Sequence, residues 1–371
     1  MTAAAAVPLV LHVIPTAVGR GAQREARALV DRLEVEGVRH HRLLSMFAGP
    51  SEVEFDEDMG LDRGERQSAG FDPRAVLALR RVMDRLRPSV LVAHGGDPLK
   101  YLVPAAAGRR IPLAYYATGT FGAAARPLQV RLWRFLARRA DVVAAEGEEV
   151  LVECRSLLRV AESRSLLAPN GRDPGQFHPA EGRDRDGGDP PVVAFVGALT
   201  DGKRPDRFVE AMATLRGDDL DFEAVLCGGG PMDAELRAPA EAAGVRMLGW
   251  RDDVAEVLRG ADVFVFASAP TGEGMPGVLI EAGMTGLATV ATTVPGASTV
   301  VEDGVTGLLV APDDTGALAD AVGRLVGDAG LRRRMGDAAR RRCTERFSLD
   351  AVSALWASFL QPLVDRSAAR R

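Results

Sequence analysis

Short apolar runs alternate along this chain with longer stretches whose apolar residues recur every three or four positions. The short runs read as buried strands and the longer ones as helices with one packed face. In the first half, strands are predicted at 9–14, 41–47, 90–93, 111–117, 142–145 and 164–168, with helices at 22–36, 97–107, 128–139 and 148–158. Asp72 caps a further helix that runs to 86, with Pro88 ending it. Residues 48–70 are polar, acidic and glycine-containing, and read as one long loop. Residues 181–191, EGRDRDGGDPP, contain no apolar side chain and read as a linker. The alternation then restarts. Strands are predicted at 192–196, 222–227, 245–248, 263–267, 287–291 and 308–310, and helices at 204–215, 232–243, 254–258, 278–284, 315–326, 331–346 and 349–364. Strand–helix alternation predicts α/β architecture with parallel, doubly wound sheets. Two such domains joined by a linker imply a cleft at the carboxyl ends of their strands, where ligands of these sheets bind.

The length of 371 residues also suggests two domains rather than one core. A net charge of −5 argues against nucleic-acid binding driven by global charge. Cys154, Cys227 and Cys343 are far apart, without metal-ligand spacing or a disulfide framework, so a reducing, cytoplasmic setting is expected. The start, MTAAAAVPLVLHVIP, lacks the basic segment of a signal peptide, and its apolar run is too short to span a bilayer.

The richest stretch runs from Phe264 to Ala291. An apolar strand meets a breaker-rich loop, 268–276, and then a short helix. Glu273 in the loop and Glu281 on the helix bracket the turn. A strand, glycine-rich loop and helix can present backbone N–H groups to a phosphate. Ionised carboxylates are pure acceptors, suited to the hydroxyls of a sugar or ribose. Three more turns follow strands. Gly197–Arg204 (GALTDGKR) puts Lys203 at a helix start, either sharing an anion with the free N–H groups or lying in a solvated turn. Cys227–Pro231 (CGGGP) has three glycines that allow close approach by a ligand or by neighbouring backbone. At Gly249–Asp253 (GWRDD) the ring of Trp250 is expected to pack on the core edge while the loop backbone borders a base.

In the first half, Gly19-Arg20-Gly21-Ala22-Gln23-Arg24 lies where the first strand gives way to the first helix, which also suits an anion. It lacks the third glycine of the dinucleotide fingerprint, and no acid ends the second strand, which disfavours a nicotinamide dehydrogenase. His94 follows a strand at the same edge, a position that favours function over packing. His12 lies within its strand and is expected to be packed, and His40 and His41 read as a polar strand edge. The helix 126–139 carries Arg126, Arg131, Arg134, Arg138 and Arg139 beside Leu128, Val130, Leu132, Trp133, Phe135 and Leu136. It reads as a domain helix with a solvated arginine face, the alternative being weak contact with an anionic membrane surface.

Taken together, these sites resemble the family 4 retaining glycosyltransferases (glycosyltransferases group 1), which have the GT-B fold. The resemblance rests on GALTDGKRPDRFVEA from Gly197, VLCGGGPMDAEL from Val225, MLGWRDDVAEVLRGADVFVFAS from Met247, the Glu273/Glu281 segment and VVEDGVTGLLVAPDD from Val300. The glycine loop with Gln23-Arg24, and Pro169-Asn170-Gly171-Arg172-Asp173 with Phe177, fit it as well. The match is dense in the second half and looser in the first. It implies two doubly wound Rossmann-like domains facing across a cleft. Residues 1–180 would bind the acceptor, 181–191 would link, 192–347 would bind the nucleotide sugar, and 348–371 would form a helix returning to the first domain.

The resemblance further implies transfer of a hexose-type sugar from a nucleotide diphosphate sugar, UDP- or GDP-linked, to an acceptor hydroxyl with retention, and no metal or other cofactor. The acceptor is left open among a small specialised metabolite, a sugar phosphate, a lipid-linked sugar and a growing polysaccharide. Residue by residue, Lys203 would neutralise the diphosphate, Glu281 would accept the ribose hydroxyls, and Glu273 with the backbone of Gly274, Met275, Pro276 and Gly277 would hold the donor sugar. Val278 would help place the helix start near the phosphates, and Gly19 and Gly21 would touch the diphosphate from the other domain. His94 matches the position that contacts the donor sugar at the reaction centre. Gly229, Trp250 and Arg251 complete the expected donor site. One departure is Ala198, where the family often has arginine; Arg204 is then the candidate replacement cation. A second is Ser298-Thr299, where a glutamate is common. The rival readings are a GT-B-fold nucleotide-sugar isomerase and a catalytically weak sugar-nucleotide-binding module.

Overall fold

The computed structural model describes residues 7–16, 21–35, 39–49, 53–61, 70–120, 126–182, 189–218, 220–270 and 274–370. The chain forms two compact units: Met1–Gly171 with Leu349–Arg371, and Arg172–Ser348.

The first unit contains, in order, β1 (Leu9–Thr16), α1 (Gly21–Val35), β2 (His40–Phe47), β3 (Glu57–Leu61), α2 (Pro73–Leu86), β4 (Val90–His94), α3 (Gly96–Ala106), β5 (Leu113–Ala117), α4 (Pro127–Ala137), β6 (Val142–Ala145), α5 (Glu148–Ser156) and β7 (Ser165–Leu167). Its sheet is parallel in the order β3-β2-β1-β4-β5-β6-β7. The order reverses direction at β1 and β4, the switch point where doubly wound sheets hold ligands. Every residue of β4 and β5 is buried, as central strands covered on both faces require. At α2, Asp72 accepts the Arg74 N–H at 2.9 Å, satisfying a helix-start donor.

The second unit contains β8 (Val192–Val196), α6 (Pro205–Gly217), β9 (Glu223–Cys227), α7 (Asp233–Ala242), β10 (Val245–Gly249), α8 (Val254–Arg259), β11 (Val263–Phe266), α9 (Gly277–Met284), β12 (Ala288–Thr292), α10 (Ala297–Val300), β13 (Gly307–Val310), α11 (Thr315–Gly327) and α12 (Ala329–Phe347). Its parallel sheet runs β10-β9-β8-β11-β12-β13, and the switch point falls between β8 and β11. The final helix, α13 (Leu349–Ala368), belongs to the first unit, where Trp356, Leu360 and Leu363 pack on the face of β1 and β4 carrying Val10, Val90 and Val92.

Three features differ from the sequence expectations. Residues 48–70 are not one loop: β3 pairs with β2 inside that stretch. Its sequence, EDMGL, is polar because the strand lies at the sheet edge. The first boundary falls after Gly171 rather than at 180, since Arg172 donates its N–H to Phe347 O at 2.8 Å and Phe177 joins the second unit's core. His41 is buried rather than part of a polar edge. Among the described residues, no helix is long and apolar enough to cross a membrane.

Candidate functional site

In the second unit, the loops at the carboxyl ends of β8, β9, β10 and β11 are laced together by backbone. Ala269, after β11, donates to Gly202 O at 2.8 Å, which ties its loop to the Lys203 turn. Leu199 donates to Gly229 O at 3.0 Å, Met232 to Leu199 O at 3.1 Å, and Gly228 to Gly249 O at 2.9 Å. A Cβ on Gly228 would lie 1.8 Å from Gly197 O, and one on Gly230 2.5 Å from Leu199 O. The glycines of the CGGGP turn are therefore demanded by neighbouring backbone, the second of the two readings of that motif. Gly229 itself lies against Trp250: a Cβ added to the glycine would be 3.3 Å from the tryptophan Cβ. Contrary to expectation the Trp250 side chain is not packed on the core: the residue is 63% exposed.

The helix α9 starts at Gly277, where Pro276 at the cap position has no side chain to offer its N–H groups, and Leu279 donates to Pro276 O at 3.1 Å. Pro276 precedes the helix, Met275 is buried and Val278 packs against the core from a partly buried position. Gly274 and Met275 are held by Gly296, whose φ is +79° and whose Cβ would fall 2.2 Å from Gly274 O. Glu281 lies on the second turn of α9 and accepts from Arg172 Nε at 2.6 Å, with both side chains mostly buried. The sequence does not single out Arg172 as a site residue, because the pairing bridges 109 positions. Lys203 Nζ lies 5.7 Å from the Phe266 ring centroid, which places its ammonium at the end of β11. Arg204, in the left-handed region at φ +50°, is gripped by both carboxylate oxygens of Asp206, with Nη2 at 2.6 Å. The Asp206 carboxylate beside it raises the already high pKa of the guanidinium. Arg251 is similarly held by Asp253, with Nε at 2.6 Å. Gly21 is the first residue of α1. Gly19 and Glu273 lie outside the described residues.

In the first unit a cavity of about 240 Å³ opens at the switch point, lined by His94, Gln23, Asp97, Tyr116, Asn170 and Trp356 among others. His94 stacks on Trp356 with centroids 5.8 Å apart and planes 3° apart, and meets Tyr116 edge-on. Tyr116 donates its hydroxyl to Asn170 Oδ1 at 2.8 Å. Behind His94, His12 Nδ1 lies 2.9 Å from His94 Nε2, and His12 Nε2 lies 3.0 Å from His41 Nδ1. The parallel register, Val10 with His41 and His12 with Val92, puts all three rings on one sheet face. The signal in the sequence was a histidine within an otherwise apolar strand, because a buried polar ring needs a partner.

Burial holds the three rings neutral. It pushes His94 down to about 3 and, with Arg39 adding to it, His41 down to about 4. His12 falls well below 6.5, through burial first and then His94 and His41. These are depressed bases, so their contribution is fully present above pH 6.5 and is lost as pH falls through the window from 6.5 to about 4 for His41 and to about 3 for His94, where the unfolded chain binds protons the native state refuses. The melting temperature should therefore decline across that window, and less steeply in His41→Leu. An equally steep decline in both would show that the histidines do not set the acid response.

On α4, Arg134 donates to Leu157 O at 2.8 Å and is not part of a solvated face. Arg126, Arg131, Arg138 and Arg139 are exposed as expected, and Leu128, Leu132 and Phe135 are exposed beside them, with Arg139 5.1 Å over the Phe135 ring.

Two doubly wound parallel-sheet units define a GT-B-type α/β protein. The chain belongs to the group 1, or family 4, glycosyltransferases. Residues 190–328 match the family described as glycosyl transferases group 1, and residues 19–176 match glycosyltransferase family 4. The alpha-maltose-1-phosphate synthase of Mycobacterium tuberculosis is 32% identical over 289 residues, covering 70% of this chain and 69% of that protein. The D-inositol 3-phosphate glycosyltransferase of Actinosynnema mirum is 35% identical over 213 residues, covering 52% of this chain. That match spans 51%, about half, of the relative's own length. In fold the chain is similar to Anabaena HepE in complex with UDP, with a TM-score of 0.78 and 18% identity, covering 96% of this chain and 100% of that one.

Proposed function

We propose that this protein transfers a hexose-type sugar from a nucleotide diphosphate sugar to an acceptor hydroxyl, with retention of anomeric configuration. The observation that carries this reading is the Lys203 turn tied by Ala269 to the segment that follows β11, with the Glu281–Arg172 pair one turn into α9. In this reading the departing diphosphate gathers negative charge, and the Lys203 ammonium and the α9 start stabilise it. Glu281, oriented by Arg172, accepts the ribose hydroxyls. The backbone of Gly274 to Gly277, with Glu273, holds the donor sugar, and His94 contacts the sugar at the reaction centre. On the resemblance, Gly19 and Gly21 would touch the diphosphate. The HepE complex favours a uridine diphosphate leaving group. Because Asp206 holds Arg204, Lys203 supplies the main cationic side chain for the diphosphate and the rest comes from backbone N–H groups.

The test is turnover over a panel of UDP- and GDP-hexoses with polyol, lipid-linked and saccharide acceptors, the product anomer being read by NMR. The expected result is product only when acceptor is present, with the donor's anomeric configuration kept. Inverted product would overturn the mechanism. Donor consumed without acceptor would identify an isomerase, and nucleotide binding without any turnover would identify a binding module.

A further inference from the structure

The three-histidine chain has a property that single histidines lack. Neutral imidazole carries one proton, so each ring donates at one nitrogen and accepts at the other. In the line His94 Nε2···Nδ1 His12 Nε2···Nδ1 His41, the two contacts are 2.9 and 3.0 Å. Only two proton placements make both hydrogen bonds. In one, His41 Nδ1–H donates to His12, His12 Nδ1–H donates to His94, and His94 keeps its proton on Nδ1. In the other, His94 Nε2–H donates to His12, His12 Nε2–H donates to His41, and His94 Nδ1 is bare. The character of His94's second nitrogen, donor or acceptor, is thus tied to the state of His41 two hydrogen bonds away.

We propose that His12 and His41 are positioning residues that set the tautomer of His94 and so decide whether its Nδ1 offers or accepts a hydrogen bond in the cavity it lines. The surroundings isolate the chain. His12 has no exposed surface, and His94 is clamped between Trp356 of α13 and Tyr116 of β5, neither of them charged. Among the described residues, the charged groups near the chain are Arg27 of α1, toward His12, Arg39 and Glu34, with His40, around His41, and Glu25 and Asp97, which line the cavity with His94. Glu34 accepts from the His41 backbone N–H and from His40 Nδ1, so it anchors the far end without touching the relay nitrogens. The depressed basicity of all three rings keeps an extra proton out of the chain, preserving the two-state choice. A donor at Nδ1 suits a sugar hydroxyl oxygen, and an acceptor suits a hydroxyl proton; a fixed tautomer selects one. The catalytic meaning rests on the role given to His94 above, but the coupling itself does not.

The test substitutes the end of the relay. His41→Asp and His41→Asn place a side-chain oxygen or nitrogen near the position of the His41 Nδ1. A carboxylate only accepts, so it obliges His12 to donate from Nε2 and leaves His94 Nδ1 bare. Asparagine can donate or accept and preserves both states, and His41→Leu removes the end altogether. Long-range proton–nitrogen NMR of histidine-labelled protein, without substrate, reads the His94 tautomer directly. The expected result is a single Nε2–H signature at His94 in His41→Asp, the native signature in His41→Asn and a mixed one in His41→Leu. Turnover should split the same way: kcat changed on the order of 10- to 100-fold in whichever of the aspartate and leucine variants departs from the native tautomer, restored by asparagine, with donor KM little altered. An identical His94 signature in native, aspartate and leucine proteins would overturn the relay, even if turnover were normal. If His41→Asp does not fold, the leucine and asparagine pair still decides it. A shifting signature in a protein with no transfer activity would keep the relay and remove the proposed function instead.

Discussion

Alanine at Lys203 or at Glu281 is expected to weaken nucleotide binding by about 10- to 100-fold each, the loss of one charge-assisted hydrogen bond or contact worth roughly 1.5–3 kcal/mol. The two losses should differ in kind. Lys203 acts on phosphate charge, so its effect should shrink as salt rises. Glu281→Ala also removes the carboxylate that the Arg172 Nε donates to, at a side chain only 14% exposed. That variant should therefore lose stability as well, by about 1–3 kcal/mol. Glu281→Gln, which still presents an oxygen to Arg172 Nε, should lose affinity with a smaller stability cost. Calorimetry with nucleoside diphosphates and thermal melts separate these effects. Unchanged affinity in both alanine variants would remove their assigned roles.

Gly296→Ala is expected to damage the same site without removing any polar side chain. The glycine's φ of +79° alone costs an alanine about 1–3 kcal/mol. The added methyl would sit 2.2 Å from Gly274 O and 2.7 Å from Met275 Cα, so the backbone proposed to hold the donor sugar has to move. The expected outcome is a lowered melting temperature and a kcat/KM reduced at least 10-fold, since small displacements of positioning groups are costly. Gly327→Ala, at the end of α11 with nothing within 4 Å of the new Cβ, is the control and should be near neutral. Normal turnover in Gly296→Ala would show that Gly274 and Met275 do not position the substrate.

The alternating apolar runs made both sheets legible, because central parallel strands must be apolar on both faces. The strand β3 escaped because an edge strand needs no such signature. The domain boundary escaped for another reason. The polar run at 181–191 marks a loop in composition, whereas the actual division at Gly171 is set by contacts of Arg172 and Phe177 with residues far along the chain. Lys203, Glu281 and the glycine turns were legible because their chemistry is local: a strand end, a turn and a helix start. The Arg172–Glu281 pair and the histidine line were not, since each depends on which strands and loops become neighbours. Strand order converts three scattered histidines into one line of hydrogen bonds.

The helix α13 has a consequence for the order of events in synthesis. Trp356 provides a wall of the cavity and the stacking surface for His94, yet it is made some 260 residues after that histidine. On the ribosome the first sheet can pair its strands early, but its cavity must wait for the second unit to be translated and for the last helix to emerge. A nascent chain thus lacks, for most of its translation, the α13 side chains that complete the apolar cluster with Val10, Val90 and Val92. That cluster is where a chaperone would find this protein, and where a stalled or prematurely ended chain would aggregate.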